Sequence, residues 1–298
     1  MKSHFTLALF ILIPFLGIKA QKPVIVSDDS LKIGNSLLPG LSVTIPEANF
    51  DKTMKVWIRE LQSGTRSKLL TENNEMTIFG AKIKAISPNP INVYSKLVSL
   101  DSTLQLFACF EKKKDVYVVR SSGDPDYTKA QEYLKKFAKD QYIDVAKDQA
   151  DAEEKKLRDL QKELSSLENE KSRMQKAIQS NNTSILNEKD NITIQNNELS
   201  TVSAALVEQN NLLATMEAGP AQKEKTDQIK ELEKRKKKAL NSIESSQNKI
   251  NRANSGIDKD NNEIPRNERM QEKVREQIIQ QEAVYQIYAN KLKRIKAY

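Results

Sequence analysis

The fold is decided by residues 206–232, LVEQNNLLATMEAGPAQKEKTDQIKEL. Apolar residues recur at helical spacing on both sides of residues 217–221, which interrupt the pattern. Gly219 suits a position just past the end of a helix, and Pro220 suits the first turn of the next one. We therefore expect two long helices joined by a short loop whose tip is Gly219-Pro220.

The helix before this loop carries a coiled-coil repeat. Every seventh residue from Ile143 to Leu213 occupies heptad position a, and ten of these eleven residues are apolar. The exception is Lys171. Position d, three residues after each a position, is more polar. Apolar residues at a and d are the mark of a helix that packs along a narrow seam against another helix.

A second repeat runs from Ile229 to Leu292. If the chain folds back at Gly219, residue i lies opposite residue 438 − i, and every a position of one arm meets a d position of the other. An antiparallel coiled coil requires this pairing. We predict a hairpin with arms at 126–217 and 221–298. An extended rod, in which each arm pairs with another chain, uses the same heptads and is the alternative.

One layer of the predicted seam is weak. Lys171 is expected to face Asn267, and Pro265 lies two residues before this asparagine. Proline inside a helix removes a backbone hydrogen bond and kinks the helix. We predict a hinge at these three residues, which either interrupts the coiled coil or marks a docking point.

A run of five basic residues, KRKKK, occupies positions 234–238 on the second arm. Such runs are usually solvated helix faces. Because five residues span more than one turn, this run also presents positive charge to an anionic surface. The candidate interaction residues are Gly219, Pro220, Lys234, Arg235, Lys237 and Lys238.

The residues before the hairpin predict a small α+β domain at 21–125. A strand is expected at 41–45, followed by a helix that Asn49 caps and Gly64 ends. Further strands are expected at 76–86, 91–100, 104–111 and 116–120. Short turns between consecutive strands imply an antiparallel sheet. The fold class is thus α+β, a small antiparallel-sheet domain with a helix, followed by a long antiparallel coiled-coil hairpin.

Four short polar motifs and one cysteine in this domain are candidate sites. Asp28-Asp29 and residues 72–75, ENNE, are acidic clusters that lack the spaced oxygen ligands of a calcium loop, so we expect solvated loops. Asp29-Ser30 and Asp101-Ser102 resemble the short acceptor motif for O-glycosylation in Bacteroidota. Cys109 stands in an apolar run, where a buried strand residue is expected rather than a nucleophile.

The N-terminus predicts export. A short basic start is followed by an apolar run at residues 5–18 and by Ala20, which is the pattern of a secretory signal peptide at 1–20. This run is shorter than the ~17–25 residues that cross a bilayer. We expect cleavage after Ala20, a periplasmic, envelope-associated or extracellular mature chain, and no transmembrane segment in it.

Composition narrows the function classes. The chain of 298 residues has 48 basic and 40 acidic residues, one His, one Cys and one Trp. The histidine, His4, would leave with the signal peptide, so the mature chain has no imidazole base and no histidine metal ligand. We expect no cofactor, no metal and no enzyme activity. Nucleic acid is excluded as a partner because the chain is expected to be exported.

The motifs VTIP at 43–46 and NPINVY at 89–94, with a long coiled coil after them, resemble a group of exported Bacteroidota proteins. The resemblance implies an envelope location and brings no activity. The expected function is a non-enzymatic envelope protein, whose hairpin is a spacer or docking arm for the small domain. Envelope proteins, a second copy of the chain or an anionic envelope surface are the expected partners. The alternative is a ligand- or glycan-binding module that its coiled coil oligomerises.

Overall fold

The computed structural model describes residues 23–33, 36–120 and 125–297. The predicted signal peptide at 1–20 lies outside these residues. The elements, in chain order, are β1 (Val26–Ile33), β2 (Ser36–Pro46), α1 (Phe50–Gln62), β3 (Leu70–Glu72), β4 (Glu75–Ala81), β5 (Ile91–Leu100), β6 (Thr103–Lys113), β7 (Val116–Tyr117), α2 (Pro125–Ala214) and α3 (Pro220–Ala297). The expected fold class is confirmed: an antiparallel sheet with one helix precedes two long helices that pack against each other.

The strands form one seven-stranded antiparallel sheet in the order β1-β2-β6-β5-β4-β3, and β7 pairs with the end of β6. Alternation along β5 places Ile91, Val93 and Leu97 on the buried face. Helix α1 begins after the N-cap residue Asn49, whose side chain accepts a hydrogen bond from the Lys52 amide at 3.0 Å. This is the helix cap that the sequence predicted.

Two helices cover the buried face of the sheet. Trp57 of α1 is fully buried and donates a hydrogen bond from Nε1 to Ser95 Oγ at 3.0 Å. Its ring meets Phe137 of α2 edge-on, with 4.8 Å between centroids. The first turns of α2 also bring Ala130 and Leu134 into the same core. The sheet core is therefore completed by residues that follow the predicted domain boundary at 125.

The chain forms two compact units. The first contains the sheet, α1, the start of α2 as far as Lys155, and the end of α3 from Glu282. The second contains residues 156–281, which are the remaining parts of α2 and α3. In the first unit Glu47, in the turn after β2, accepts hydrogen bonds from Gln149 of α2 and Lys291 of α3. A fragment ending at residue 125 would lack part of its own core.

Within each unit the helices follow the predicted register. In the first unit Ile143 and Ile295 lie in one apolar cluster. In the second unit Ile185 clusters with Ala253. Leu206 and Leu232 do so near the tip. Each of these pairs satisfies the relation of residue i to residue 438 − i, so the antiparallel hairpin is confirmed.

Several strand expectations need correction. Asp28-Asp29 is part of strand β1 rather than a loop, because β1 pairs with β2 along its whole length. The polar sequence of β1 does not show the alternation that predicts a strand, so β1 was not expected. The short strand β3 was not expected either. The strand expected at 76–86 ends at Ala81, since the Ile86 amide donates to the Ile83 carbonyl in a tight turn. Strand β7 has only two residues.

A pair of introduced cysteines tests the hairpin. Leu206→Cys with Leu232→Cys should form a disulfide within one chain, because both residues belong to the same cluster near the tip. Cys109 is buried and does not compete. The control pair, Leu206→Cys with Ile250→Cys, is off register and should form no such bond. Mass spectrometry of the oxidised monomer gives the result, and disulfides found only between chains would contradict the hairpin.

The first turn of α2 is anchored by a charge cluster that predicts a pH dependence. Asp126 is buried and contacts Lys112 of β6 at 2.6 Å and Lys129 at 3.0 Å. Hydrogen bonds from Lys112 and then Lys129 lower the pKa of Asp126 below its ordinary value of 3.8. Since the pKa is lower in the folded state, the stabilisation is present above pH 3.8 and is lost as pH falls through the folded-state pKa.

Asp126→Asn should therefore lower the free energy of unfolding by about 1–3 kcal/mol at pH 7. The difference from the wild type should shrink as the pH falls below 3.8. Urea unfolding followed by the fluorescence of Trp57, the one tryptophan, measures it. Asp159→Asn, at an exposed pair with Lys162, is the control and should change stability by less than about 0.5 kcal/mol. A difference that does not depend on pH would contradict the assignment.

Candidate functional site

The tip of the hairpin is a short loop between α2 and α3. Helix α2 ends at Ala214, three residues before the expected end of the first arm. The Gly219 carbonyl accepts hydrogen bonds from the amides of Gln222 and Lys223 at 3.1 and 3.2 Å. Gly219 is therefore the N-cap residue of α3 rather than the residue that ends α2, and Pro220 occupies the first helical position, where no amide donor is needed.

The basic run on α3 is exposed along its whole length, residues 234–238. Two of its five charges are paired. Lys234 lies 3.2 Å from Glu231, and Arg235 donates to Glu198 of α2 from Nε at 3.0 Å and Nη2 at 2.6 Å. Lys236, Lys237 and Lys238 have no salt bridge to any residue that the structure describes. The run is thus partly a structural link between the helices and partly free positive charge.

Apolar side chains lie beside the free lysines. Val207 of α2 is 63% exposed and Leu240 of α3 is 46% exposed. Together with Leu206, Lys236 and Lys237 they line a groove along one flank of the hairpin, which we call the tip groove. Sequence reasoning missed this groove because it considered positions a and d. The sequence feature that indicates the groove is the pair of apolar residues at heptad positions b and e, Val207 and Leu240.

The predicted hinge residues lie together in the second unit. Helix α3 continues through Pro265, so the helix is not interrupted there. Lys171 forms a salt bridge with Glu268, the neighbour of Asn267, at 2.7 Å. Asn267 is buried and donates to Glu170 at 3.1 Å. A bend at Pro265 stays a prediction, since the bounds of α3 do not test it.

Hydrogen bonds extend from Asn267 along the same side of α3. Gln271 is buried and donates to Asn267 at 2.7 Å. Arg275 donates to Gln271 at 3.0 Å and to Glu168 of α2 at 3.2 Å. This part of the seam therefore has polar links between the helices beside the buried apolar residue Val274. Polar links between helices specify a register while contributing less stability than apolar layers.

A second polar layer interrupts the apolar seam nearer the tip. Glu188 lies 2.8 Å from Lys249, and this hydrogen bond lowers the pKa of Glu188 below its ordinary value. Beside it Asn191 donates to Ser246 Oγ at 2.8 Å. Ser246 is buried, so its partner on the other helix is part of the seam. These contacts set the register of the two helices here, while Glu188 Oε2 is buried without a hydrogen-bond partner among the described residues.

In the sheet, the shifted pKa values of Cys109 and Glu111 have structural causes. Burial raises the pKa of the Cys109 thiol to about 12, which makes it a poor nucleophile. Burial also raises the pKa of Glu111, but hydrogen bonds from Asn92, the Asp115 amide and Tyr94 outweigh it and leave a lowered pKa. Across residues 23–33, 36–120 and 125–297, no group of three or more His, Cys, Asp or Glu is placed to hold a metal ion.

The two predicted glycosylation serines are both exposed. Ser30 lies on β1, where its amide donates to the Asp29 side chain at 2.7 Å. Ser102 lies in the turn between β5 and β6, next to Asp101, whose φ is 37°. Exposure is a requirement for modification and does not demonstrate it, so both sites stay predictions.

Pro265→Ala tests the hinge. The substitution supplies the amide donor that proline lacks inside a helix, a defect that costs about 3 kcal/mol in an exposed helix interior. Amide hydrogen exchange of residues 258–268 should slow about tenfold or more. Pro220→Ala is the matched control, because Pro220 begins α3 and its missing donor has no helical partner. If Pro265→Ala slows the exchange of residues 258–268 no more than Pro220→Ala does, Pro265 does not weaken the helix.

No family model, no curated protein and no solved structure matches the chain. Among the described residues, no helix is both long and apolar enough to cross a membrane. Proposals about function therefore rest on the residues and contacts of the chain itself.

Proposed function

We propose that the chain is a non-enzymatic structural or interaction protein of the cell envelope. In this proposal the helical hairpin acts as a spacer or docking arm for the sheet domain. The observation that carries it is the heptad register itself, kept from Ile143 to Leu292 with one loop at the tip. Long paired helices of this kind present extended surfaces for partners rather than enclosed sites for small molecules.

The chemistry of the chain supports the same proposal. The chain has one His and one Cys, and Cys109 is buried with a raised pKa. Outside the apolar clusters, the hairpin presents exposed charges such as those of residues 234–238. Export depends on the predicted signal peptide at 1–20, so the envelope location is part of the proposal.

In-cell photo-crosslinking of the full chain tests this function. A photoreactive residue at the exposed position Leu186 or Leu240 of the hairpin should give larger adducts in the envelope fraction. The matched position on the sheet is Phe79, which is also exposed and should give none. Adducts from Phe79 without any from the hairpin, or a chain found only in the cytoplasm, would contradict the proposal.

The alternative function, a ligand- or glycan-binding sheet domain, is favoured by one observation. The rings of Phe79 and Tyr94 meet edge-on, 6.1 Å apart, on the half-exposed face of the sheet. Aromatic rings on an open sheet face are a surface on which a sugar can pack. A thermal-shift screen of glycans against the full chain and the Phe79→Ala variant separates the functions. A rise in Tm that Phe79→Ala abolishes would favour the alternative.

A further inference from the structure

The tip groove lies on the second unit, where α2 and α3 leave apolar surface uncovered. Its floor contains Leu206, which is 8% exposed because the seam covers it. Its walls contain Val207 and Leu240, whose side chains are 63% and 46% exposed. A continuous apolar strip therefore leads from the buried seam out to one flank of the hairpin.

The heptad positions explain why the strip faces one side. Val207 follows Leu206, an a residue, and so takes position b, whereas Leu240 follows the d residue Ala239 and takes position e. Positions a, e and b adjoin one another around a helix. Because both helices widen their apolar stripe toward the same flank, the surface has the form that a third helix requires.

Charge defines the occupant further. Lys236 and Lys237 line the groove, and no described residue forms a salt bridge with them or with Lys238. The acid that lines the groove is Glu233. The two unpaired lysines that line the groove thus exceed one carboxylate, so the flank attracts negative charge.

We infer that the tip groove binds an acidic amphipathic helix of a partner protein. The apolar face of that helix packs on Val207 and Leu240, and its carboxylates meet Lys236 and Lys237. This inference rests on the proposed function of the hairpin as a docking arm, and it names the chemistry of the partner.

Two other occupants fit less well. In a two-fold dimer through this groove the same lysines of both copies would face each other near the axis, and like charges oppose that contact. A lipid surface would meet Lys236 and Lys237, but it would not reach Leu206 at the bottom of a groove between two helices. A helix satisfies both the apolar floor and the charged rim.

Binding of a designed probe to the full chain tests the inference. The probe is a labelled helical peptide of three heptads, with leucine on one face and glutamate on the others, and fluorescence anisotropy gives its Kd. We expect binding that weakens as salt rises from 50 to 300 mM, because ion pairs at an exposed rim are screened. A peptide with lysine in place of glutamate should bind at least tenfold more weakly.

Variants locate the binding on the chain. Val207→Asn with Leu240→Gln should weaken binding of the glutamate peptide at least tenfold, and Lys236→Gln with Lys237→Gln should remove most of its salt dependence. These side chains are exposed, so the helices should keep their fold, which circular dichroism checks. Leu186→Gln with Ile194→Gln is the matched control, since these residues are equally exposed elsewhere on α2 and should change nothing.

Three outcomes would overturn the inference. The groove is wrong if the peptide does not bind, or if the groove variants bind it as the wild type does. It is also wrong if vesicles of phosphatidylglycerol bind the chain through Lys236 and Lys237 while the peptide does not. Because adducts from Leu186 in the in-cell experiment would still support a docking arm, failure of this inference is distinct from failure of the proposed function.

Discussion

The pairing of position a with position d along α2 and α3 is the constraint on which the hairpin depends. Two helices share only a narrow seam, and this register buries the apolar residues of both at once, as Ile185 and Ala253 do. A slip of seven residues would keep a opposite d. It would, however, separate Glu188 from Lys249 and Lys171 from Glu268. The short tip loop and these polar layers together exclude that slip.

The stability of the sheet depends on the helix residues that pack against it. Trp57 and Ser95 are buried together, and Phe137 of α2 closes over the tryptophan ring. Glu47 accepts hydrogen bonds from Gln149 of α2 and Lys291 of α3, so both helices of the hairpin contact the same turn. Because a small sheet has little core of its own, residues of α1 and of the first turns of α2 supply what it lacks. Removing the hairpin would therefore also weaken the first unit.

The five residues of the basic run are alike in sequence but differ in their contacts in the structure. Lys234 and Arg235 are used in ion pairs with Glu231 and Glu198, and Arg235 thereby links the two helices. The following three lysines form no salt bridge with any described residue. Their position beside Val207 and Leu240 turns a solvated face into a surface with both apolar and electrostatic features. The inferred partner helix would contact both the apolar side chains and the lysines, so net charge alone would not select it.

The sequence alone determined the hairpin, its register, the cap at Asn49 and the burial of Cys109, because each depends on spacing or on local backbone chemistry. It also predicted the polar layer at Lys171 and Asn267, and the structure added their partners Glu268 and Glu170. Tertiary structure decided the rest. Strand β1 forms because it pairs with β2, although its own sequence is mostly polar. Gly219 caps α3 because α2 ends several residues before it. The tip groove exists only where two helices bring b and e residues to one flank, and a pattern read one helix at a time cannot place them together.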